Sequence, residues 1–100
     1  MKLVWSPLAV ERALEAKAYI AADNPRAADK WASGLVNAVS KLKRHPKLGR
    51  VVPDVGLEEY RQIVYGNYRI VYRISASTVV ILTVRHFSRL VDLDELEIGS

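Results

Sequence analysis

The 100-residue chain contains no cysteine. It therefore has no disulfide framework, no thiol nucleophile and no thiolate ligands for a structural metal site. Its two histidines, His45 and His86, are far apart in the sequence and match neither the HExxH nor the His-x-His spacing of metal sites. We expect neither a metal ion nor an organic cofactor.

Long apolar runs and glycine-rich loops are also missing. No stretch approaches the roughly 20 apolar residues that span a bilayer, and the N-terminal Met-Lys-Leu-Val-Trp is too short for a signal peptide. No glycine-rich loop joins a strand to a helix and no serine sits in a nucleophile elbow, which argues against nucleotide cradling and serine hydrolase chemistry. We expect one cytoplasmic domain over residues 1–100, without a membrane partner.

Acidic residues are scarce in the middle of the chain. Residues 41–89 contain ten lysines or arginines and three acids, a net charge of +7, whereas the whole chain carries +4. The tail, residues 91–100, is acidic. A localised basic region suits phosphate backbones or an acidic protein partner, but it can equally be a solvated surface that confers solubility. Composition leaves both interpretations open.

Residues 60–74 have the alternation of a β-hairpin. The dipeptide Gly66-Asn67 suits a two-residue turn because it tolerates the positive φ that such a turn demands. The turn sets the strand register. The predicted pairs are Tyr65 with Tyr68, Ile63 with Ile70, Arg61 with Tyr72, Val64 with Arg69, and Tyr60 with Arg73.

This register gives the hairpin two unlike faces. One face is apolar and aromatic and includes Arg61, a charge that needs a partner if it is buried. The other is predicted to be a mixed polar and cationic surface. The first face carries Arg61, Ile63, Tyr65, Tyr68, Ile70, Tyr72 and Ile74, and the second carries Tyr60, Gln62, Val64, Arg69, Val71 and Arg73.

Two helices are predicted after a short first strand, Lys2 to Trp5. Ser6-Pro7 and Asn24-Pro25 each supply a capping side chain followed by a proline suited to the first helical turn. On the first helix an arc of Val10, Ala13, Leu14, Ile20 and Ala21 is predicted to face the core, with Glu11, Arg12 and Glu15 pointing away. The second helix has a clearer stripe, formed by Ala28, Trp31, Leu35, Ala38, Val39 and Leu42.

The last predicted strand, Thr78 to His86, is apolar on both of its alternating faces. Such a strand is central and covered on both sides. The two helices can cover one side, and a loop is expected over residues 46–58. The other side needs either the tail, Leu90 to Ile98, or a partner chain, so it predicts a binding surface. The tail could also shield the basic region in cis, form a short amphipathic helix or fray.

Cationic side chains recur near the ends of these strands, with acids approaching from the loop. Cleaving RNA needs a base for the 2′-hydroxyl, cations for the developing phosphorane charge and an acid for the departing 5′-oxygen. The arginines could supply the cations and His86 the acid or base, but a lone histidine at a strand end is more often a packed residue. Arg61 could equally anchor a loop carboxylate such as that of Asp54 or Glu59. The cluster comprises Arg61, Arg69, Arg73, Arg85, His86 and Arg89, with Asp54, Glu58 and Glu59.

The chain resembles the RelE/ParE superfamily of bacterial toxins over nearly its full length. The resemblance is carried by Trp5-Ser6-Pro7, YIAADNPRAADKW at 19–31, the segment from Gly49 to Asp54, YRQIVYGNYRIVYRI at 60–74 and VRHFSR at 84–89. It implies an α+β fold in which an antiparallel sheet, a short N-terminal strand plus three C-terminal strands, packs on an α-helical hairpin. It also implies the toxin half of a type II toxin–antitoxin module, bound by a cognate antitoxin that could hold a larger assembly on operator DNA.

The resemblance assigns roles to single residues. Arg69 matches a phosphate-contacting arginine of the members that cut messenger RNA in the ribosome, and Asp54 stands near the place of a glutamate base in some of them. At the C-terminus Phe87 follows His86, where ribonuclease members carry a tyrosine, and no lysine occurs after Lys47. The helix junction at 21–31 looks more like the ParE branch, whose members poison DNA gyrase without being nucleases.

Two activities therefore stand beside each other. The preferred hypothesis is gyrase inhibition, in which the basic residues contact the target: Arg61, Arg69, Arg73, Arg85 and Arg89. The alternative is ribosome-dependent cleavage of messenger RNA, with catalytic candidates Arg69, Arg61, His86 and Asp54. A non-toxic module that binds nucleic acid is a third possibility.

Overall fold

The computed structural model describes residues 1–90 and 93–96. A helical hairpin packs on one five-stranded sheet, which confirms the predicted α+β class. The helices are α1 (Pro7–Asp23) and α2 (Pro25–Ser40), and the strands are β1 (Lys2–Trp5), β2 (Arg50–Val51), β3 (Tyr60–Tyr65), β4 (Tyr68–Ser75) and β5 (Thr78–His86). Short 3-10 helices cover Lys41–Lys43 and Leu93–Leu96. Within the described residues, no helix is both long and apolar enough to cross a bilayer.

Both helices begin where their capping residues predicted. The Ser6 hydroxyl accepts a hydrogen bond from the Ala9 N–H at 3.0 Å, and the Asn24 side chain accepts one from the Ala27 N–H at 3.1 Å. Each cap satisfies one of the first-turn donors that have no partner inside the helix. The Ser6 hydroxyl also donates to the carbonyl oxygen of Leu82 at 3.1 Å, so the start of α1 is fixed to β5.

The strand order is β1-β5-β4-β3-β2. The three long C-terminal strands are antiparallel as predicted, whereas β1 lies parallel to β5, with Lys2 opposite Thr78. The two-residue β2 lies inside the segment that we expected to be loop and pairs Arg50 with Gln62. The sheet is therefore mixed, with one more strand than the sequence indicated.

The β3–β4 hairpin has the predicted register at every pair from Tyr60–Arg73 to Tyr65–Tyr68. Gly66 adopts a φ of 57° in the turn, a conformation that costs glycine little and most other residues more. The turn chemistry of one dipeptide therefore determined which side chains of both strands face the helices.

The larger core lies between the helices and the sheet. The predicted stripe on α2 supplies Leu35 and Val39, which are buried against Ile70 and Tyr72 of β4. This arrangement confirms the apolar face predicted for the hairpin. The remaining fully buried members are Ala9, Leu42, Val79 and Ile81.

The face predicted for α1 was only partly right. Ala13 packs against the core as predicted, and Ile20 and Ala21 are half-buried. Val10 and Leu14 are 43% and 60% exposed, while the buried residues of this helix are Ala9 and Ala16. Alanine side chains let α1 lie close to β5, and the larger apolar residues consequently remain at the flank. Arg12, which we expected to point away, forms an ion pair with Glu95.

The alternation expected along β5 also fails at one point. Residues 71 and 72 of β4 pair with Thr83 and Ile81, so Leu82 is an extra residue on β5. Such a bulge reverses the face of every residue beyond it. Val84 therefore joins Ile81 on the helix side, and Thr83 turns to the opposite side together with Leu82.

The sheet face opposite the helices is covered by the protein's own loop and tail. Val52, just after β2, and Leu96 are fully buried there against Val71 and Leu82. The expectation of a mixed polar surface was therefore wrong for Tyr60, Gln62 and Val71, which are all buried. We considered either the tail or a partner chain as the cover for this face of β5, and the structure has the tail there. The remainder of the predicted tail, residues 91–92 and 97–100, lies outside the described residues.

Replacing Tyr72 by phenylalanine should lower the free energy of unfolding by about 1–3 kcal/mol, because two backbone groups lose their partner. The Tyr72 hydroxyl donates to the Pro46 carbonyl oxygen at 2.6 Å and accepts from the Gly49 N–H at 2.9 Å. Burial raises the pKa of Tyr72 above its usual range, an effect that the Gly49 hydrogen bond and the nearby Arg61 charge partly offset.

A tyrosine whose pKa is raised by folding contributes stability below its unfolded pKa of about 10 and loses it as the pH rises further. The gap between the wild-type and Tyr72→Phe melting temperatures should therefore be constant near pH 7 and shrink above about pH 10. A gap that widens at high pH would contradict this assignment.

Candidate functional site

Two arginines lie directly opposite each other on neighbouring strands. Arg69 of β4 pairs with Arg85 of β5, on the face turned away from the helices. Like charges in this position repel each other and destabilise a sheet. Among the described residues, the shielded Nε atoms of Arg69, Arg73 and Arg85 also have no hydrogen-bond partner. Arg85 forms an ion pair with Glu95 at 2.7 Å, which offsets part of this repulsion. Arg69 has no acidic partner in the part of the chain that the structure describes, and its charge therefore suits an anionic ligand or partner.

The segment after β5 folds over this pair. The Arg69 guanidinium donates to the carbonyl oxygen of Arg89, and Nη2 of Arg85 donates to that of Leu90 at 3.1 Å. The Phe87 N–H donates to the Asn67 carbonyl oxygen at 2.6 Å, which ties the segment to the hairpin turn. Arg89, itself exposed, is thereby held beside Arg69 at this end of the sheet.

His86 lies next to the arginine pair, at the end of β5 opposite Tyr68. Its Nδ1 accepts a hydrogen bond from the Ser88 N–H at 3.1 Å and lies 2.7 Å from the Ser88 hydroxyl oxygen. Its ring packs edge-on against Tyr68 with the ring centroids 5.3 Å apart. A neutral imidazole whose Nδ1 accepts this hydrogen bond carries its proton on Nε2.

A cleft of about 500 Å³ opens between α1 and this end of the sheet. Its wall combines cations with aromatic rings, including Arg12, Tyr19, Tyr68, His86 and Arg89. Burial raises the pKa of Tyr68, with a smaller contribution from the neighbouring Tyr19, so Tyr68 keeps its proton at neutral pH. The cleft is therefore a mainly cationic and aromatic recess, in which the acidic side chain of Glu15 is paired with Arg12.

Glu95, which sequence reasoning did not single out, is the carboxylate that meets these cations. It is only 8% exposed, and its two oxygens accept hydrogen bonds from Arg12, Thr83 and Arg85. The Glu95 hydrogen bond raises the pKa of the Arg12 guanidinium, although burial of Arg12 opposes the effect. Only a weak sequence signal marks this role of Glu95: it is an acidic residue close to leucines, shortly after a strand that carries basic residues.

Arg61 lies toward the other end of the sheet and holds the loop. Its Nε donates to the Glu58 carbonyl oxygen at 2.9 Å and its Nη1 to that of Gly49 at 3.0 Å, while the Glu58 carboxylate stands 3.9 Å away. The partners are thus mainly backbone carbonyls, not the carboxylate of Asp54 or Glu59 that we considered. With 9% exposure, Arg61 is positioned to stabilise the fold.

The predicted cluster is therefore divided. Arg69, Arg85, His86 and Arg89 lie at the turn end of the hairpin, with His86 beside Tyr68 on the helix side of the sheet and the Arg69–Arg85 pair on the opposite side. Arg61 lies opposite Tyr72, three positions along β4 from Arg69, or about 10 Å at the usual rise per residue.

The acidic residues of the loop lie in the same part of the sheet as Arg61, away from the turn end of the hairpin. Arg73 pairs with Tyr60, where the loop enters β3, and the Ile74 N–H donates to the Glu59 carbonyl oxygen at 2.8 Å. Asp54 is exposed in the turn that follows Val52. In residues 1–90 and 93–96 no group of three or more His, Cys, Asp or Glu side chains could hold a metal ion.

Solved structures of two toxin–antitoxin systems share this fold. The chromosomal ParDE system from P. aeruginosa superposes with a TM-score of 0.72 and 19% identity, covering 86% of this chain and 95% of that chain. The toxin–antitoxin complex RelBE2 from Mycobacterium tuberculosis gives a TM-score of 0.61 and 25% identity, covering 85% and 95%. The fold is thus that of the RelE/ParE superfamily, as the sequence resemblance implied.

The sequence profile of one family in this superfamily matches residues 3–91. It describes the ParE toxin of the type II toxin–antitoxin system parDE, and the chain belongs to this family. No curated protein sequence matches significantly. The chain is therefore a type II toxin of the ParE branch.

Proposed function

We propose that this toxin inhibits DNA gyrase by binding and is neutralised by a cognate antitoxin. One observation supports binding over cleavage. The four catalytic candidates for RNA cleavage are divided between two parts of the sheet. Arg69 and His86 lie in one part, and Arg61 and Asp54 lie in the other.

In-line cleavage requires the base, the acid and the cations to reach one phosphodiester at the same time. His86 lies opposite Tyr68, and Arg61 lies opposite Tyr72, four positions further along β4. The backbone positions of His86 and Arg61 are therefore about 13 Å apart along the strand direction. The Arg61 guanidinium is also engaged by two loop carbonyls, and Phe87 offers no hydroxyl. These facts disfavour a ribonuclease built from the four residues named.

An inhibitor that acts by binding needs only a complementary surface. The turn end of the sheet presents Arg69 and Arg89 beside the recess, and such a cationic surface suits an acidic face of a protein. The uneven charge, +7 over residues 41–89, would steer the same surface toward an acidic antitoxin.

Brief induction in bacteria with pulse labelling tests the proposal. Incorporation of labelled thymidine should fall before that of labelled methionine, because a gyrase poison stops DNA synthesis first. A prior collapse of methionine incorporation would favour the ribosomal ribonuclease instead. Unchanged incorporation of both labels would indicate a binding module without toxicity.

A purified assay gives the direct test. The full chain should block gyrase supercoiling of relaxed plasmid at a concentration at which it leaves messenger RNA on programmed ribosomes intact. Cleavage of the ribosome-bound message, with supercoiling unaffected, would overturn the proposal.

A further inference from the structure

The Glu95–Leu96 pair fills a pocket made by other parts of the chain. The residues that receive it lie within positions 3–91, which the ParE profile matches, whereas the pair itself lies beyond them. The occupant therefore lies outside the matched region, whereas the residues that receive it lie within that region.

One half of the pocket receives a carboxylate. Thr83 Oγ1 and Arg12 Nε donate to Glu95 Oε1 at 2.7 and 3.2 Å, and Arg85 Nη1 donates to Oε2 at 2.7 Å. Charge-assisted bonds of this length are the stronger class of hydrogen bond. The three donors come from α1 and β5, so the receptor is complete without the tail.

The other half is apolar and adjoins the first. Leu96 is fully buried among Val52, Tyr60, Val71 and Leu82, on the same sheet face as Thr83. The pocket thus selects an acidic residue followed by an aliphatic one. The order of the two residues in a ligand is fixed because the carboxylate site and the apolar site are adjacent and are occupied together.

The segment that carries Glu95 and Leu96 has little secondary structure of its own to hold it in position. Leu93–Leu96 is a single four-residue 3-10 turn, and helices this short are not stable alone. Its position therefore depends on the pocket contacts, which a second segment of the same chemistry could make.

We infer that this pocket is a docking site for an acidic–aliphatic residue pair on the antitoxin, and that Glu95 and Leu96 occupy it in cis when the partner is absent. The inference rests on the antitoxin partner of the proposed function. Tethering gives the cis pair an effective concentration of the order of millimolar, so a short competing peptide binds the wild type poorly. An antitoxin would overcome this advantage through further contacts with the basic surface.

A peptide with the sequence of residues 92–98 serves as the probe, measured by fluorescence anisotropy against the full-length chain. Glu95→Gln should bind the peptide at least about 10-fold more tightly than the wild type, because the cis carboxylate no longer competes. If this variant folds poorly, Glu95→Asp keeps the charge but shortens the side chain, and it should shift the affinity in the same direction.

The controls address the pocket itself. A peptide with glutamine at the position of Glu95 should bind Glu95→Gln at least about 10-fold more weakly than the native peptide, since a neutral amide loses the charge-assisted bonds. Adding Arg12→Gln should weaken binding, whereas Arg26→Gln, an exposed change on α2, should not. Equal affinity of the wild type and Glu95→Gln, or of the two peptides, would overturn the inference.

Failure of this inference can be told apart from failure of the proposed function. Gyrase inhibition by the wild type together with no peptide binding would reject the docking pocket alone. Peptide binding together with normal supercoiling would reject gyrase as the target and leave the docking pocket supported.

Discussion

Arg61→Ala is expected to lower the melting temperature by about 12–24 °C, a loss of about 3 kcal/mol in the free energy of unfolding. The substitution leaves the carbonyl oxygens of Gly49 and Glu58 without their donors in a shielded part of the loop. It also removes the aliphatic stem of a side chain that is largely buried. Thermal unfolding monitored by circular dichroism measures the effect.

Arg50→Ala is the matched control for Arg61→Ala. Arg50 lies on β2, next to the residue that pairs with Arg61, but its side chain is exposed. We expect a change within about 0.5 kcal/mol for this control. Arg61→Lys should recover only part of the lost stability, because an ammonium cannot reproduce the two-pronged donation of a guanidinium. An unchanged melting curve for Arg61→Ala would reject its role as a loop anchor.

The features that sequence reasoning predicted correctly depend on local chemistry. Ser6 and Asn24 start helices because a capping side chain and the proline after it act within one turn. Gly66 sets the hairpin register because a two-residue turn leaves no freedom in the pairing. Neither feature needs information from a distant part of the chain.

The errors arose where tertiary contacts outweigh local pattern. On α1 the weakly amphipathic pattern favoured Val10 and Leu14, yet close approach to the sheet selects the small Ala9 and Ala16. On β5 the bulge at Leu82 has no signature in a run of apolar residues. Strict alternation would place Thr83 with Ile81 and Val84 with Leu82, which is the reverse of the observed faces. A two-fold alternation does not reveal an inserted residue.

The candidate site was predicted only in part, because several of its contacts also depend on the tertiary fold. The hairpin register placed Arg69 on its face, but the partner position of Arg85 requires the pairing of β4 with β5, which the bulge shifts. Glu95 was missed because it meets Arg12 across 83 positions of sequence. Ion pairs of such separation become visible only once the fold brings the elements together.

Arg69→Ala should reduce toxicity and gyrase inhibition at least about 10-fold while the fold remains intact, on the view that a lost charge-assisted contact costs about 1.5–3 kcal/mol of binding. The side chain lies on the cationic surface, and the hydrogen bond that it forms within the described part of the chain, to the Arg89 carbonyl oxygen, is at an exposed site. The concentration for half-inhibition of supercoiling measures the effect, with growth after induction as the cellular readout.

Stability should not fall together with function in this variant. Arg69 faces Arg85 directly, so removing Arg69 relieves the repulsion that the Arg85–Glu95 ion pair does not offset, and the melting temperature should stay constant or rise slightly. Arg26→Ala removes the same charge from an exposed helical position and should leave inhibition unchanged. A large fall in melting temperature would instead make Arg69 a structural residue. Retained inhibition would place the gyrase contact elsewhere. Lost inhibition together with retained stability is the result expected if Arg69 serves binding rather than folding.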